Sequence, residues 1–273
     1  MMKIVVAIDS LKGSLTSIQA GEAIEKGIKK VDLEAEVVIK PLADGGEGTV
    51  DALVDGMGGN MEFIKVAGPA RKSVLAKYGI ICPTKSDMEE TSTAIMEMSQ
   101  AAGITQVTDK ERNPLYTTTY GVGQMIVDAI HKGCRRFIMG TGAAGGLGFA
   151  FLTFTNATLK SGVDLILHET KLEEEIKDAD IVVTGEGCLD AQTAMGKAPI
   201  GVAKLAKKYG KLVLGFSGAV TKGATACNEA GIDAYFPIVR SAVSLEDAMK
   251  KKNAQENLID TVEQVFRLIK VLK

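Results

Sequence analysis

The 273-residue chain contains no tryptophan, only two histidines, and aromatic residues at 5%. So few flat rings leave no stacking platform for bases or sugars. Basic residues are not in excess either, with 32 Lys and Arg against 34 Asp and Glu and a net charge of −2, so no nucleic-acid partner is expected. No stretch approaches the roughly 18 uninterrupted apolar residues of a membrane-spanning helix, and Ile4 to Ile8 is too short for a signal-peptide core. The four cysteines, Cys82, Cys134, Cys188 and Cys227, form no C-x-x-C pair, which excludes a zinc ribbon or a disulfide framework. Reduced thiols and a cytoplasmic location are the expectation. His131 ends one expected helix and His168 sits on a charged helix face, a poor basis for a histidine triad.

Glycine, by contrast, is abundant, at 30 residues. Hydrophobic residues at 46% are enough for a packed core. With about 150 residues per domain as a guide, the length fits two domains or one large α/β unit.

The apolar pattern reads as alternating strands and helices. Ile4–Ile8 is a short β-branched run of the kind buried on both faces. Thr16 and Gln19 have capping-box spacing and start a helix with Ala20, Ala23, Ile24 and Ile28 inward. A strand over residues 36–42 and a helix over 46–57 follow. From Met61 to Gln100 the pattern changes to three strand-like pieces joined by turns, which predicts antiparallel pairing in a smaller inserted lobe. Alternation resumes with a helix over 120–131, a strand over 136–139, and helices over 148–160 and 163–177. Strands over 180–184, 212–216 and 234–238 come next, separated by helices over 199–209 and 225–230. A capping box at Ser244 and Asp247 opens a last helix. The expected architecture is α/β: a doubly wound, mostly parallel Rossmann-like sheet from residues 1–59 and 115–273, with residues 60–114 as the inserted lobe containing antiparallel strands.

In such sheets ligands bind beyond the carboxyl ends of the strands. Those ends carry Asp9-Ser10-Leu11-Lys12-Gly13-Ser14, Asp44-Gly45-Gly46-Glu47-Gly48, Thr184-Gly185-Glu186-Gly187-Cys188-Leu189-Asp190 and Ser217-Gly218. Carboxylates, hydroxyls and glycines gathered there suit phosphoryl transfer, which depends on positioning and charge neutralisation. Gly46 and Gly48 open a predicted helix whose N-terminus favours an anion. Asp44, Glu47 and Glu186 are oxygen ligands suited to Mg2+. Lys12, Arg112 and Lys197 could neutralise phosphate or carboxylate, and Asp190 is the candidate proton acceptor. Lys197 also fits a solvated lysine at a helix start. No P-loop occurs, because Ala191 stands where G-x-x-x-x-G-K-[ST] requires glycine. Gly140 to Gly145 matches G-x-G-x-x-G after a strand, but no acidic residue ends a following strand at the spacing a dinucleotide site requires.

DSLKGS at Asp9 to Ser14, PLADGGEGTVDAL at Pro41 to Leu53, ERNPLYTTTYGVG at Glu111 to Gly123, GAAGGLG at Gly142 to Gly148 and TGEGCLDAQTAMGKAP at Thr184 to Pro199 resemble type I glycerate kinase. The resemblance runs in order along nearly the whole chain. It implies transfer of phosphate from ATP to D-glycerate with Mg2+, giving a phosphoglycerate. By position it implies that Asp9, Ser10, Lys12, Asp44, Gly45, Gly46, Glu47, Gly48, Arg112, Asn113, Pro114, Thr119, Gly121, Glu186, Asp190, Gln192, Thr193 and Lys197 line the cleft. The chemistry of these side chains assigns the roles. Asp9, Ser10, Arg112, Asn113, Gln192 and Thr193 suit the substrate, and Gly45, Gly46, Gly48, Thr119, Gly121 and Ser217 the nucleotide phosphates. Asp190, Lys12 and Lys197 would carry the chemistry and Asp44, Glu47 and Glu186 the metal. Neither the phosphorylated hydroxyl nor the oligomeric state is legible.

There is one large departure from the family pattern. Its members are longer by about a hundred residues, the size of a small domain. The interruption falls at Gly140-Thr141, where the strand runs straight into Gly142-Ala143-Ala144-Gly145. The apparent dinucleotide fingerprint is therefore a seam between two family segments. The alternative function is an impaired deletion form that binds nucleotide or a partner without turnover, because catalysis by positioning tolerates missing walls poorly.

Overall fold

The computed structural model describes residues 1–46, 48–68, 72–83, 91–102, 119–140, 158 and 161–272. The chain divides into two compact units, one of Met1–Asp44 with Val163–Lys273 and the other of Gly45–Gly162.

The first unit is built on a five-stranded sheet in the order β2-β1-β7-β8-β9. Its strands are β1 (Lys3–Ile8), β2 (Glu36–Ile39), β7 (Ile181–Leu189), β8 (Leu212–Val220) and β9 (Ala234–Pro237), and every pairing is parallel. Successive side chains alternate faces. Ile4, Val6 and Ile8 of β1, with Ile181, Val183, Leu214 and Phe216, pack against helix α1 (Ser17–Lys29) and the C-terminal helix Lys251–Leu272. The Ala198–Lys208 helix packs on β7 and β8 through Val202, Ala203 and Ala206. Helices on both faces make this the doubly wound, parallel sheet that the alternation predicts.

The expected caps behave differently. Thr16 and Gln19 form a complete box, each side chain bonding the other's backbone N–H at 3.3 Å. Ser244 accepts from the Asp247 N–H at 3.1 Å, but the Asp247 carboxylate takes the Ser244 hydroxyl rather than its backbone. The helix it opens, Leu245–Met249, stops at once, and the C-terminal helix starts anew at Lys251.

The second unit holds a four-stranded sheet in the order β3-β4-β5-β6. Strands β3 (Asn60–Ala67), β4 (Ser73–Ile81) and β5 (Ser92–Glu97) are antiparallel as expected, and β6 (Cys134–Gly140) runs parallel to β5. Val66, Tyr78, Ala94 and Met96 form one apolar face with Val122, Met125 and Ala129 of α3 (Thr119–His131). On the other side α2 (Thr49–Met57) lies so close that a Cβ on Gly79 would run into Val54.

The boundaries therefore differ from those expected. Residues 45–59 and 119–140 belong to the second unit, because α2 packs on β4 and β5, and β6 extends the β5 edge. Alternation of strand and helix reveals a βαβ crossover but not which sheet receives its strand. The helix expected over 148–160 lies outside the described residues. Among the described residues no helix is long and apolar enough to cross a membrane.

Candidate functional site

The sequence places Thr184 to Leu189 in a loop after β7, whereas the strand runs through them to Leu189. Glycine makes that possible. A Cβ on Gly185 would collide with the carbonyl oxygen of Phe216, and one on Gly218 would lie 2.6 Å from the carbonyl oxygen of Gly187. Glycine at both positions lets β7 and β8 stay paired through Leu189 and Val220. Gly187 in turn admits the loop after β1, since a Cβ there would stand 3.3 Å from the Lys12 amide nitrogen. These glycines fit strand to strand rather than forming a loop open to phosphate.

The extended β7 sets the positions of the polar groups. Ala7 pairs with Thr184 and Ile8 with Gly185, and the Asp9 N–H continues the ladder to the Gly185 carbonyl at 2.9 Å. Asp9 and Glu186 therefore project from one face, side by side on neighbouring strands. Glu186 pairs with Ser217 on β8. Ser17 accepts the Leu42 N–H and donates to the Ile8 carbonyl, tying the segment before Asp44 to the end of β1. Lys12 Nζ stands 3.8 Å from the Asp44 carboxylate.

Glu186 is largely buried and fully engaged. Thr193 donates its hydroxyl hydrogen to Oε1 at 2.7 Å, and Lys197 Nζ lies 3.6 Å from Oε2. Asp190 closes a tight turn. Its Oδ1 accepts the Thr193 N–H at 2.9 Å, lies 3.2 Å from the Thr193 hydroxyl oxygen, and faces Lys197 Nζ at 3.7 Å. The Thr193 amide, followed by the positive charge of Lys197, holds the Asp190 carboxyl below its ordinary range. Gln192 is exposed, Ser10 is half-buried, and the Ser10 N–H donates to Asp9 Oδ1 at 2.6 Å. Asp9 itself is 4% exposed, and burial, with Asp44 and Glu186 nearby, pushes its pKa up to about 6. Thr184, two residues before Glu186 on the same face, carries a buried hydroxyl with no hydrogen-bond partner among the described residues.

Other assignments are corrected or left aside by the geometry. Ser217, expected on the nucleotide, is buried, and its hydroxyl is committed to the sheet. It accepts from the Leu189 N–H at 3.0 Å and lies within donating distance of the Glu186 and Ala219 carbonyls. In the second unit, Gly48 caps α2 with a left-handed φ of 92°, and Gly45 has a φ of 91°. The N-terminus of α2, expected to face an anion, already holds one. Val50 N–H donates to the buried Glu97 carboxylate at 2.8 Å, and Thr49 N–H to the Gly46 carbonyl at 3.3 Å. Sequence reading missed Glu97, whose only signal is a carboxylate at the end of the apolar run Thr93 to Met96. Gly121 lies in α3, where a Cβ would strike the Ala67 carbonyl oxygen, and Thr119 is the first residue of that helix. Glu47, Arg112 and Asn113 lie outside the described residues.

Among the described residues, Asp44 and Glu186 do not by themselves assemble a metal cage. Both oxygens of Glu186 are engaged, Asp44 faces Lys12, and no group of three His, Cys, Asp or Glu is placed to hold an ion among the described residues. A Mg2+ that arrives on nucleotide phosphates with much of its water shell needs no such cage.

A doubly wound parallel sheet with two lysines and four carboxylates at its carboxyl ends defines an α/β protein with its polar groups gathered where such sheets bind ligands. The glycerate kinase family model matches residues 4–142 and 138–270, and the chain belongs to that family. It is 31% identical to a glycerate kinase of Halalkalibacterium halodurans and 31% identical to one of Bacillus subtilis, alignments that take in 100% of this chain and 98% and 99% of those proteins. A solved structure assigned as glycerate kinase 2 from Salmonella typhimurium LT2 superposes with a TM-score of 0.81 at 28% identity, over 99% of this chain and 98% of that one. Both bacterial alignments span 386 positions against 273 residues here, so more than a hundred positions face no residue of this chain. The two family matches meet at residues 138–142, at the seam expected from the sequence.

Proposed function

We propose that this protein transfers the terminal phosphate of ATP to a hydroxyl of D-glycerate. The observation that carries the reading is the family-matched end of β7, where Glu186, Asp190, Thr193 and Lys197 interlock beside Asp9. Phosphoryl transfer needs cations to offset charge on the moving group and rigid placement of the acceptor. Lys12 and Lys197 supply the cations. Glu186 and Asp190 hold Lys197 from two sides, and Thr193 fixes both carboxylates. Asp9, Ser10 and Gln192 are proposed to position the glycerate, together with Arg112 and Asn113. Mg2+ is proposed to enter as the companion ion of ATP and to offset phosphate charge. The four cysteines are free thiols, in keeping with a cytoplasmic location.

The test is ADP release by the 273-residue chain with Mg-ATP and D-glycerate, against L-glycerate and no-substrate controls. Turnover specific to D-glycerate is expected. A second reading, nucleotide binding without turnover, rests on the interruption after β6. The same assay, paired with calorimetric titration of ADP, separates the two.

A further inference from the structure

We propose that the carboxylate of Asp9, rather than that of Asp190, takes the proton from the attacking hydroxyl. This assignment rests on the phosphoryl-transfer reading above. Asp9 follows β1, the strand between β2 and β7, and lies on the face that carries Glu186. It is 4% exposed, yet only one of its oxygens is engaged. The Ser10 N–H donates to Oδ1 at 2.6 Å, and among the described residues no donor reaches Oδ2. Oδ2 is thus left open to a ligand hydroxyl while the rest of the residue is buried. Two rungs below on the same face, the buried Thr184 hydroxyl has no partner among the described residues. Asp190 is held differently. Its Oδ1 accepts the Thr193 N–H and faces Lys197, contacts that favour the ionised form and weaken it as a base.

A general base works best when its proton affinity lies near the working pH. The charged groups that face Asp9 are Asp44 from the loop after β2, Glu186 from β7 and Lys12 from its own loop. The two carboxylates and burial raise its proton affinity, while Lys12 and the Ser10 amide moderate the rise. In the step itself the hydroxyl O–H bond breaks and its proton passes to Oδ2 of Asp9. The electron pair left on the oxygen forms the new bond to the γ-phosphorus. The bond from that phosphorus to the bridging oxygen breaks, and its pair leaves on ADP. Asp9 then returns the proton to solvent.

The experiment compares the wild type with Asp9→Asn, Asp9→Glu and Asp190→Asn. ADP release with Mg-ATP and D-glycerate is followed over roughly pH 5 to 9, and calorimetry gives the ADP affinity of each protein. Asp9→Asn keeps the shape and removes the base. It is expected to lower kcat by about 10²- to 10⁴-fold, to leave ADP affinity within about threefold, and to abolish the acid-side fall of kcat/KM. Asp190→Asn is expected to keep that acid-side fall, and Asp9→Glu to restore part of kcat. An Asp9→Asn protein with kcat within about tenfold of wild type and its acid limb in place overturns the assignment. If Asp9→Asn fails to bind ADP, Asp9→Glu decides: a displaced acid limb supports the assignment and an unmoved one overturns it. A wild type that binds ADP without turnover removes the phosphoryl-transfer reading and this assignment with it, an outcome distinct from an active Asp9→Asn.

Discussion

Thr193 gives its hydroxyl hydrogen to Oε1 of Glu186 at 2.7 Å and so joins the short helix after β7 to the strand itself. The Thr193 hydroxyl oxygen in turn accepts the Asp190 N–H at 3.1 Å. Thr193→Val keeps the shape and removes both bonds, leaving a buried carboxylate oxygen without its donor. A loss of about 2–3 kcal/mol is expected in urea unfolding, with Thr193→Ser within about 1 kcal/mol of wild type. Equal stability of the valine and serine variants would show that the hydroxyl does not contribute.

Lys197 sits between Glu186 and Asp190 and is partly open to solvent. An ion pair of that exposure contributes little to folding, about 0–1 kcal/mol. Removing a cation from phosphate in flight is a larger loss. Lys197→Met is expected to lower turnover of D-glycerate by about 10²-fold or more, with the urea midpoint nearly unchanged. A large fall in stability with turnover intact would assign Lys197 to the fold instead.

Asp9 makes stability depend on pH in an unusual direction. Burial lifts its folded pKa to about 6. The unfolded value is near 3.9. Between them the folded state holds a proton that the unfolded state has released, so this group adds stability as pH falls from about 6 to about 4. Above that window the buried charge costs about 3 kcal/mol. Asp9→Asn is therefore expected to be more stable than wild type near neutrality, with the difference closing through the acid window. Urea titrations of both proteins at several pH values check this, and a difference independent of pH would refute it.

Gly185 admits no side chain, since a Cβ would meet the Phe216 carbonyl oxygen. Gly185→Ala must push β7 from β8 and is expected to cost about 1–3 kcal/mol or more. Because Glu186 and Ser217 pair at the next rung, turnover should fall as well. An alanine variant with wild-type stability and turnover would show that the two strands separate without cost.

Much of this arrangement is legible in the sequence, for identifiable reasons. The β-branched run of β1, the antiparallel pieces β3 to β5 and the Thr16–Gln19 cap are local patterns, and local patterns survive folding. Asp9, Glu186 and Asp190 stand out because strand ends in α/β sheets gather polar residues, Lys197 as a cation that could offset phosphate charge, and Thr193 through the family motif. What fails is what depends on distant partners. The pairing of β6 with β5 is decided by which sheet edge is open. Whether Gly185 ends β7 or merely thins it is decided by Phe216, and only the fold shows that Glu97 fills the end of α2. The hydroxyl of Ser217 resembles a free ligand until the backbone that consumes it is seen.

Strand β6 lies at the border of its sheet, and Gly140 is its last residue. Among the described residues no ladder forms on its far side. The junction where relatives carry more than a hundred additional positions falls at that point. A segment spliced in or out there leaves the registers of β3, β4, β5 and β6 intact, so the lineage could change the size of this unit in one event without rewriting the sheet. The same border is the natural place to graft a foreign module onto the protein.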